Sequence, residues 1–434
     1  MSVTGWQERP ISDLFASSLP GDWGSAGDAE TGIPVLRSTN FVDDGSIDYS
    51  DIAFRSIAKA RLEKRKIGVG TILIEKAGGS STRPAGRVVY CDRAFNGTAS
   101  NFVEVVQVKH DFDPKFVFYL LYFNFHNGLT YKYQQQTTGI INFKLREYSA
   151  ELVGLPETKN EQAEIAEILT TVDRAIAQTE ALIAKQQRIK TGLIQDLLTR
   201  GIDENGNLRS EKTHKFKKSP LGRIPTEWAV FSCEQLCREI VVGIVIRPAQ
   251  YYTPEGVPVL RSANVRPGWI SNDDLVFMSH RDNESLRKSQ LRTGDLVTVR
   301  TGYPGTTAVV PPELDGCNCV DIVISRPKRD VVCSGFLSLW VNSDNGKRQV
   351  LEGQGGLAQQ HFNVGEMRRL LVKLPKPQEQ EQIESTIQSQ EATLEATQRQ
   401  RAKLCSLKVA LMQDLLTGRR PVASLLSEPL KATA

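Results

Sequence analysis

The stretch GIPVLRSTN at residues 32–40 returns almost letter for letter as GVPVLRSAN at 256–264, 224 positions further on. At the same spacing Gly70 aligns with Gly294, Lys76 with Arg300 and Gly78 with Gly302. Downstream, Phe143 lies over Phe362 and Leu155-Pro156 over Leu374-Pro375 at a spacing of 219. From Glu161-Gln162 over Glu379-Gln380 the spacing is 218, and it holds through Gln195-Asp196-Leu197-Leu198-Thr199 over Gln413-Asp414-Leu415-Leu416-Thr417. The chain is an internal duplication. Each copy reads as a globular unit of about 155 residues followed by a helix of about 40.

Within each copy the element types follow from periodicity. PVLR, GTILIEK, GRVVYC and SNFVEVVQV read as strands between Gly- and Asp-rich turns, and DPKFVFYLLYF as a helix packed on them. Their second copies are PVLRS, GDLVTVR, TTAVVP and CVDIVIS, with SGFLSLWVN in the helix position. After Pro156, apolar residues fall at Ile165, Leu169, Val172, Ile176, Ile183, Ile189, Leu193 and Leu197. After Pro377 they fall at Ile383, Ile387, Leu394, Leu404, Leu407, Leu411 and Leu415. Such spacings give each helix one apolar stripe that it cannot bury alone. A 40-residue helix spans roughly 60 Å, longer than a domain of this size is wide. Antiparallel pairing of the two would place a globular unit at each end of a rod.

The expected fold class is α+β: two duplicated mixed α/β domains separated by two long helices pairing as an antiparallel coiled coil. The expected boundaries are a first domain at 1–156, a spacer helix at 157–200, a linker at 201–223, a second domain at 224–375, a second spacer helix at 376–418 and a tail at 419–434.

Composition excludes several classes. With 434 residues, 40% hydrophobic and 24% charged, the chain is globular and long enough for two or three units. It has no run of about 18 apolar residues, and MSVTGWQERP lacks the plan of a signal peptide, so a cytoplasmic protein with no membrane partner is expected. Seven unevenly placed cysteines read as free thiols. Cys233/Cys237 have a spacing that zinc permits, but Cys317/Cys319 are too close and the first copy has no counterpart, so no metal is expected. The net charge of +4 is small, but segment 51–93 carries ten basic residues (Arg55, Lys59, Arg61, Lys64, Arg65, Lys66, Lys76, Arg83, Arg87, Arg93) against Asp51, Glu63, Glu75 and Asp92. Several phosphates could be held there if those side chains shared a face. Segment 200–223 is also basic and reads as a solvated linker.

The segment KFKKSPLGRIPTEW at 215–228, entering a globular unit after a helix ending in QDLLTRG, resembles the junction of type I restriction-modification specificity subunits. The resemblance extends to two copies of a domain, each followed by a helix opening with LP-x-x-x-x-EQ or LP-x-x-x-EQ, and covers Gly5 to about Gly418. It implies a coiled coil acting as a ruler between two domains, each reading one half of a split double-stranded DNA target. It also implies assembly with two methyltransferase subunits and with restriction subunits. S-adenosylmethionine, ATP and Mg would then belong to those partners, and this chain would hold no cofactor. One departure is that the first copy starts at Gly5-Trp6 without the SPLGRIP lead-in that precedes Trp228.

Two domains that read different half-sites must differ where they touch bases, so residues common to both copies are candidates for scaffold or phosphate contact. Arg37, Asn40, Lys76, Arg261, Asn264 and Arg300 fall in that class, and the adjacent cations Lys64, Arg65 and Lys66 join them as phosphate candidates. The divergent stretches supply the base-reading candidates. In the first copy these are Ser80, Ser81, Thr82, Arg83, Gln135, Gln136, Thr138 and Asn142. In the second they are Tyr303, Thr306, Gln359, Gln360 and His361. Gln, Asn and Arg carry the paired donor and acceptor geometry that separates bases in the major groove. Turn-forming surface loops would share this composition.

An enzyme is the main rival class, and its signatures are missing. The single Gly-Lys, Gly346-Lys347, is followed by Arg348, not Ser or Thr. No Pro-Asp dipeptide, Asn-Pro-Pro or Asp-Pro-Pro occurs, and five scattered histidines offer no ligand cluster. A non-catalytic chain is therefore expected. Two other readings stay open: the separate specificity subunit of a type II (IIB/IIG-like) enzyme, and a coiled-coil adaptor that does not bind DNA.

Overall fold

The computed structural model describes residues 5–79, 84–137, 140–352 and 361–422. They form two compact units, residues 1–180 with 399–434 and residues 181–398. Each unit holds one globular domain and part of both long helices, Lys159–Thr199 and Pro377–Leu415.

In the first unit, strand Trp6–Pro10 pairs antiparallel with Leu152–Pro156, and the Glu157 amide donates to the Gly5 carbonyl at 3.0 Å. The N-terminal strand is therefore tied to the strand that launches the long helix. A four-stranded antiparallel sheet runs in the order Phe15–Pro20, Val103–Val108, Ile72–Glu75, Val88–Tyr90. A second sheet, in the order Ser25–Ala26, Ala53–Ser56, Ile33–Leu36, Thr98–Ala99, ends in one parallel pair. Helix Pro114–His126 begins with Pro at its first turn, and the Asp113 side chain accepts from the Phe116 amide at 2.8 Å, both of which favour a helix start. Its rings Phe116, Phe118 and Tyr119 fill the core with Ile165 and Leu169 of one long helix, Met412 and Leu415 of the other, and Leu416 just beyond it.

The second unit repeats this plan. Ala229–Ser232 pairs with Leu371–Leu374. The four-stranded sheet runs Cys237–Val242, Ile322–Pro327, Leu296–Val299, Thr307–Val309, and its companion runs Tyr252–Thr253, Val276–Met278, Val257–Leu260, Asn318–Cys319, again with a parallel last pair. Helix Ser334–Asn342 fills the core with Trp228, Leu197, Leu198, Ile383 and Ile387. Segment 201–223 is structured: Ile202 bridges Leu208, and Phe216–Ser219 forms a hairpin with Gly222–Pro225. Its Arg209 is buried against Glu379, so it is not the solvated linker that its charge suggests.

The helices pair antiparallel. In the first unit Asp173, early in one helix, meets Lys408, late in the other, at 2.7 Å; in the second Glu391 meets Lys190 at 2.6 Å. These are one interaction made twice, since 173 aligns with 391 and 190 with 408. The apolar stripe is not buried throughout. Ile189 and Leu407, the same position in the two copies, are exposed.

The Glu-Gln that opens each helix has a definite task. Gln162 donates to the Pro156 carbonyl (3.0 Å) and accepts from the Asp113 amide (2.9 Å). Gln380 donates to Pro375 (2.9 Å) and Val331 (3.1 Å) and accepts from the Cys333 amide (2.8 Å). Both glutamines are buried. An amide with a donor and an acceptor can latch a strand end and a helix start at once, which no charged or aliphatic side chain of that length could do inside a core.

Candidate nucleic-acid interface

In the first domain, strands Gln134–Thr137, Ile140–Phe143 and Ala77–Gly79 form a small sheet in that order. Gln134 builds it: its side chain donates to Ala85 O (2.7 Å) and Thr130 O (3.2 Å) and accepts from Ala85 N (3.2 Å). The register sets Gln135 opposite Asn142 and Gln136 opposite Ile141. Alternation along the strands puts Gln135 and Asn142 on one face, while Gln134, Ile141 and buried Phe143 share the other. Two amides thus stand together on the face turned from the core. Ser80, Ser81, Thr82, Arg83 and Thr138 lie outside the described residues, but the strands entering them are neighbours: Gly79 pairs with Ile141. The two divergent stretches, far apart in sequence, therefore spring from one sheet.

The second domain makes the same junction. The Phe143 amide donates to the Lys76 carbonyl at 2.7 Å, and the Phe362 amide donates to the Arg300 carbonyl at 2.9 Å. Arg300 leads into the turn that carries Tyr303, 83% exposed, and half-buried Thr306. His361, next to Phe362, is exposed. Gln359 and Gln360 lie outside the described residues.

The shared Arg-Ser-x-Asn motif has a structural task in both copies. Asn40 is buried, accepts from the Arg37 amide (2.8 Å) and donates to the Asp48 (2.9 Å) and Asp51 (2.8 Å) carbonyls. Asn264 accepts from Arg261 (3.0 Å) and donates to Asp273 (2.7 Å) and Ser271 (3.3 Å). The arginines close the same loops, Arg37 on Asp51 and Arg261 on the Asp274 carbonyl. With both amide ends engaged inside the domain, Asn40 and Asn264 have nothing left for a phosphate.

The cations divide likewise. Lys76 pairs with Glu104 at 2.9 Å, Arg300 with Asp321, and Arg61 with Asp22 at 2.6 Å. Arg87 is buried, its Nε and one terminal nitrogen donating to the two carboxylate oxygens of Glu75. Arg65 is half-buried, donating to the Pro20 and Arg61 carbonyls. The local excess of charge over 51–93 is therefore partly consumed within the domain, and Lys59, Lys64 and Lys66 remain exposed.

Cys233 and Cys237 pack in one core and Cys317 and Cys319 in another. Burial pushes the Cys237 and Cys317 thiols each up to about 12. Among the described residues no group of three His, Cys, Asp or Glu side chains could hold a metal, and no helix is long and apolar enough to cross a membrane.

Two copies of one α/β domain, each latched to a long helix and each gathering its divergent loops at one strand end, define a duplicated recognition protein. Residues 4–188 match the family model described as the type I restriction modification DNA specificity domain. A putative type I restriction enzyme MjaX specificity subunit from Methanocaldococcus jannaschii is 23% identical over 431 residues, covering 95% of this chain and 93% of that one. The fold is shared with a type I restriction-modification S subunit from M. genitalium (TM-score 0.56, 13% identity, 96% and 99% of the two chains). It is shared too with a chain from a study of complex assembly and conformational transition of the type I R-M system (TM-score 0.58, 16% identity, 97% and 100%). Residues 4–188 thus match the DNA specificity domain of type I restriction-modification systems, and over nearly its whole length the chain is similar to a type I specificity subunit. These likenesses favour neither the type II reading nor the adaptor.

Proposed function

We propose that this chain reads a bipartite double-stranded DNA target, one half-site per domain, with the paired helices setting the distance between them. It works in the cytoplasm as the non-catalytic part of a complex with two methyltransferase subunits and with restriction subunits, which bind S-adenosylmethionine, ATP and Mg. The supporting observation is the hydrogen bond made twice, Phe143 to Lys76 and Phe362 to Arg300. It brings the divergent loops to corresponding places on a scaffold otherwise common to both domains, as two half-sites of different sequence require. The base-reading groups are Gln135, Gln136 and Asn142 with Ser80–Arg83 and Thr138 in the first domain, and Tyr303, Thr306, His361, Gln359 and Gln360 in the second. Lys64 and Lys66 hold phosphate.

The test is methylation mapping of DNA from cells carrying the chain with its methyltransferase partner. Two short half-sites centred about one helical turn apart, with unread base pairs between them, are expected. A continuous palindrome would overturn the reading.

A further inference from the structure

Both domains hook the chain back at the same point of the four-stranded sheet. Gly21 donates to Val103 O (2.8 Å) and Asp22 to Ala99 O (2.7 Å) in the first; Gly243 donates to Ile322 O (2.9 Å) and Ile244 to Cys319 O (2.9 Å) in the second. Beyond the hook they part. The first domain turns its side chains inward or covers them: Asp22 is buried and paired with Arg61, and the Arg55 guanidinium lies 4.5 Å over the Trp23 ring. The second domain leaves Val245 48% and Ile246 75% exposed, and holds the next residue, Arg247, at φ 44° in the left-handed region. For a residue other than glycine that backbone is disfavoured by the clash of Cβ with the following carbonyl, and such strain concentrates at functional positions.

This segment adjoins the candidate interface. The Asp321 amide donates to the Ile244 carbonyl at 3.0 Å, and its carboxylate holds Arg300. Arg300 in turn anchors Phe362 beside His361 and leads into the Tyr303 turn. The chemistry of Val245-Ile246-Arg247 is two β-branched apolar groups followed by a cation. On a DNA duplex the base-edge feature that an aliphatic side chain can read is the thymine methyl in the major groove, and a cation beside it meets phosphate.

Resting on the DNA-reading role proposed above, we propose that Val245–Arg247 is a further reading element of the second domain, in which Ile246 packs on a thymine methyl and Arg247 contacts the adjacent backbone. At the corresponding place in the first domain Asp22 and Trp23 are occupied internally, so methyl reading by this segment is confined to one half-site.

The experiment uses the assembled complex of this chain with its methyltransferase partner and its mapped target. Each thymine of the half-site read by the second domain is replaced in turn by deoxyuridine, which removes the methyl alone. At one position the wild-type complex should bind about fourfold more weakly, the effect of a single buried methyl. Ile246→Ala should abolish the thymine–uracil difference there while leaving the first half-site untouched. Arg247→Gly, which the left-handed backbone accepts, should weaken binding to all sequences and lower the salt slope by about one unit. An Ile246→Ala complex that keeps the wild-type thymine–uracil ratio at every position overturns the assignment. A wild-type complex that does not distinguish the half-site from scrambled sequence overturns the DNA-reading role itself, and this element with it.

Discussion

The heads of the two long helices start from the same Glu-Gln pair and end in different surroundings. In the second domain Glu379 is buried and takes four donors: both terminal nitrogens of Arg209, the Trp228 indole (3.1 Å) and the Ile202 amide (2.9 Å). In the first, Glu161 is half-buried with no ion-pair partner among the described residues, and burial together with nearby Glu164 holds its carboxyl above the usual range. Trp6 is half-buried where Trp228 is fully buried. The segment between the duplicated halves has folded into the second junction and made a core of it. The glutamine latch is what both domains need; the buried charge pair is an addition to one.

That contrast can be broken by experiment. Glu379→Ala strands the buried Arg209 guanidinium, and loss of about 3–5 kcal/mol is expected, concentrated in the second domain. Glu161→Ala, which removes an unpaired carboxylate, should stay within about 0.5 kcal/mol. Denaturant titration with hydrogen exchange localised to each domain would read both. Equal losses would show that the two junctions are alike.

A second buried pair distinguishes the domains in the opposite direction. The strand registers align Glu75 with Val299 and Arg87 with Thr306, so the first domain has an ion pair where the second is uncharged. Arg87→Thr alone should cost about 3 kcal/mol by leaving Glu75 buried and unpaired. Glu75→Val with Arg87→Thr, which copies the second domain, should recover most of that loss. A double mutant no more stable than the single one would show that the arginine's bonds to the Ser38 and Phe41 carbonyls, not the charge pair, carry the site.

Smaller effects separate reading from holding. Gln135→Ala with Asn142→Ala should relax recognition of the first half-site alone, and Gln359→Ala with Gln360→Ala the second alone, by about 1–3 kcal/mol per lost bidentate contact. Titrations against matched and mismatched half-sites decide it, and a uniform loss would move the reading surface elsewhere. Lys64→Ala with Lys66→Ala should produce that uniform loss, with a salt slope lower by about one unit per phosphate contact. Arg65 is left out of this pair because its guanidinium is engaged with backbone carbonyls.

The sequence by itself determined the duplication, the element types and the long helices, because these depend on repetition, periodicity and local capping, which are written in the order of residues. It also marked Arg-Ser-x-Asn and Glu-Gln as shared, without showing that Asn40 and Gln162 face inward. Which cations are free was decided only by the tertiary structure: Lys64 and Arg87 look alike in a charge count, yet a charge is neutralised by what folds against it, and Glu75 is brought to Arg87 by strand pairing. The segment Val245–Arg247 beyond the hook was hidden for the same reason. Its aliphatics form no motif in the sequence, and a left-handed arginine has no signature in composition, since φ is set by the hydrogen bonds on either side of it and not by the residue itself.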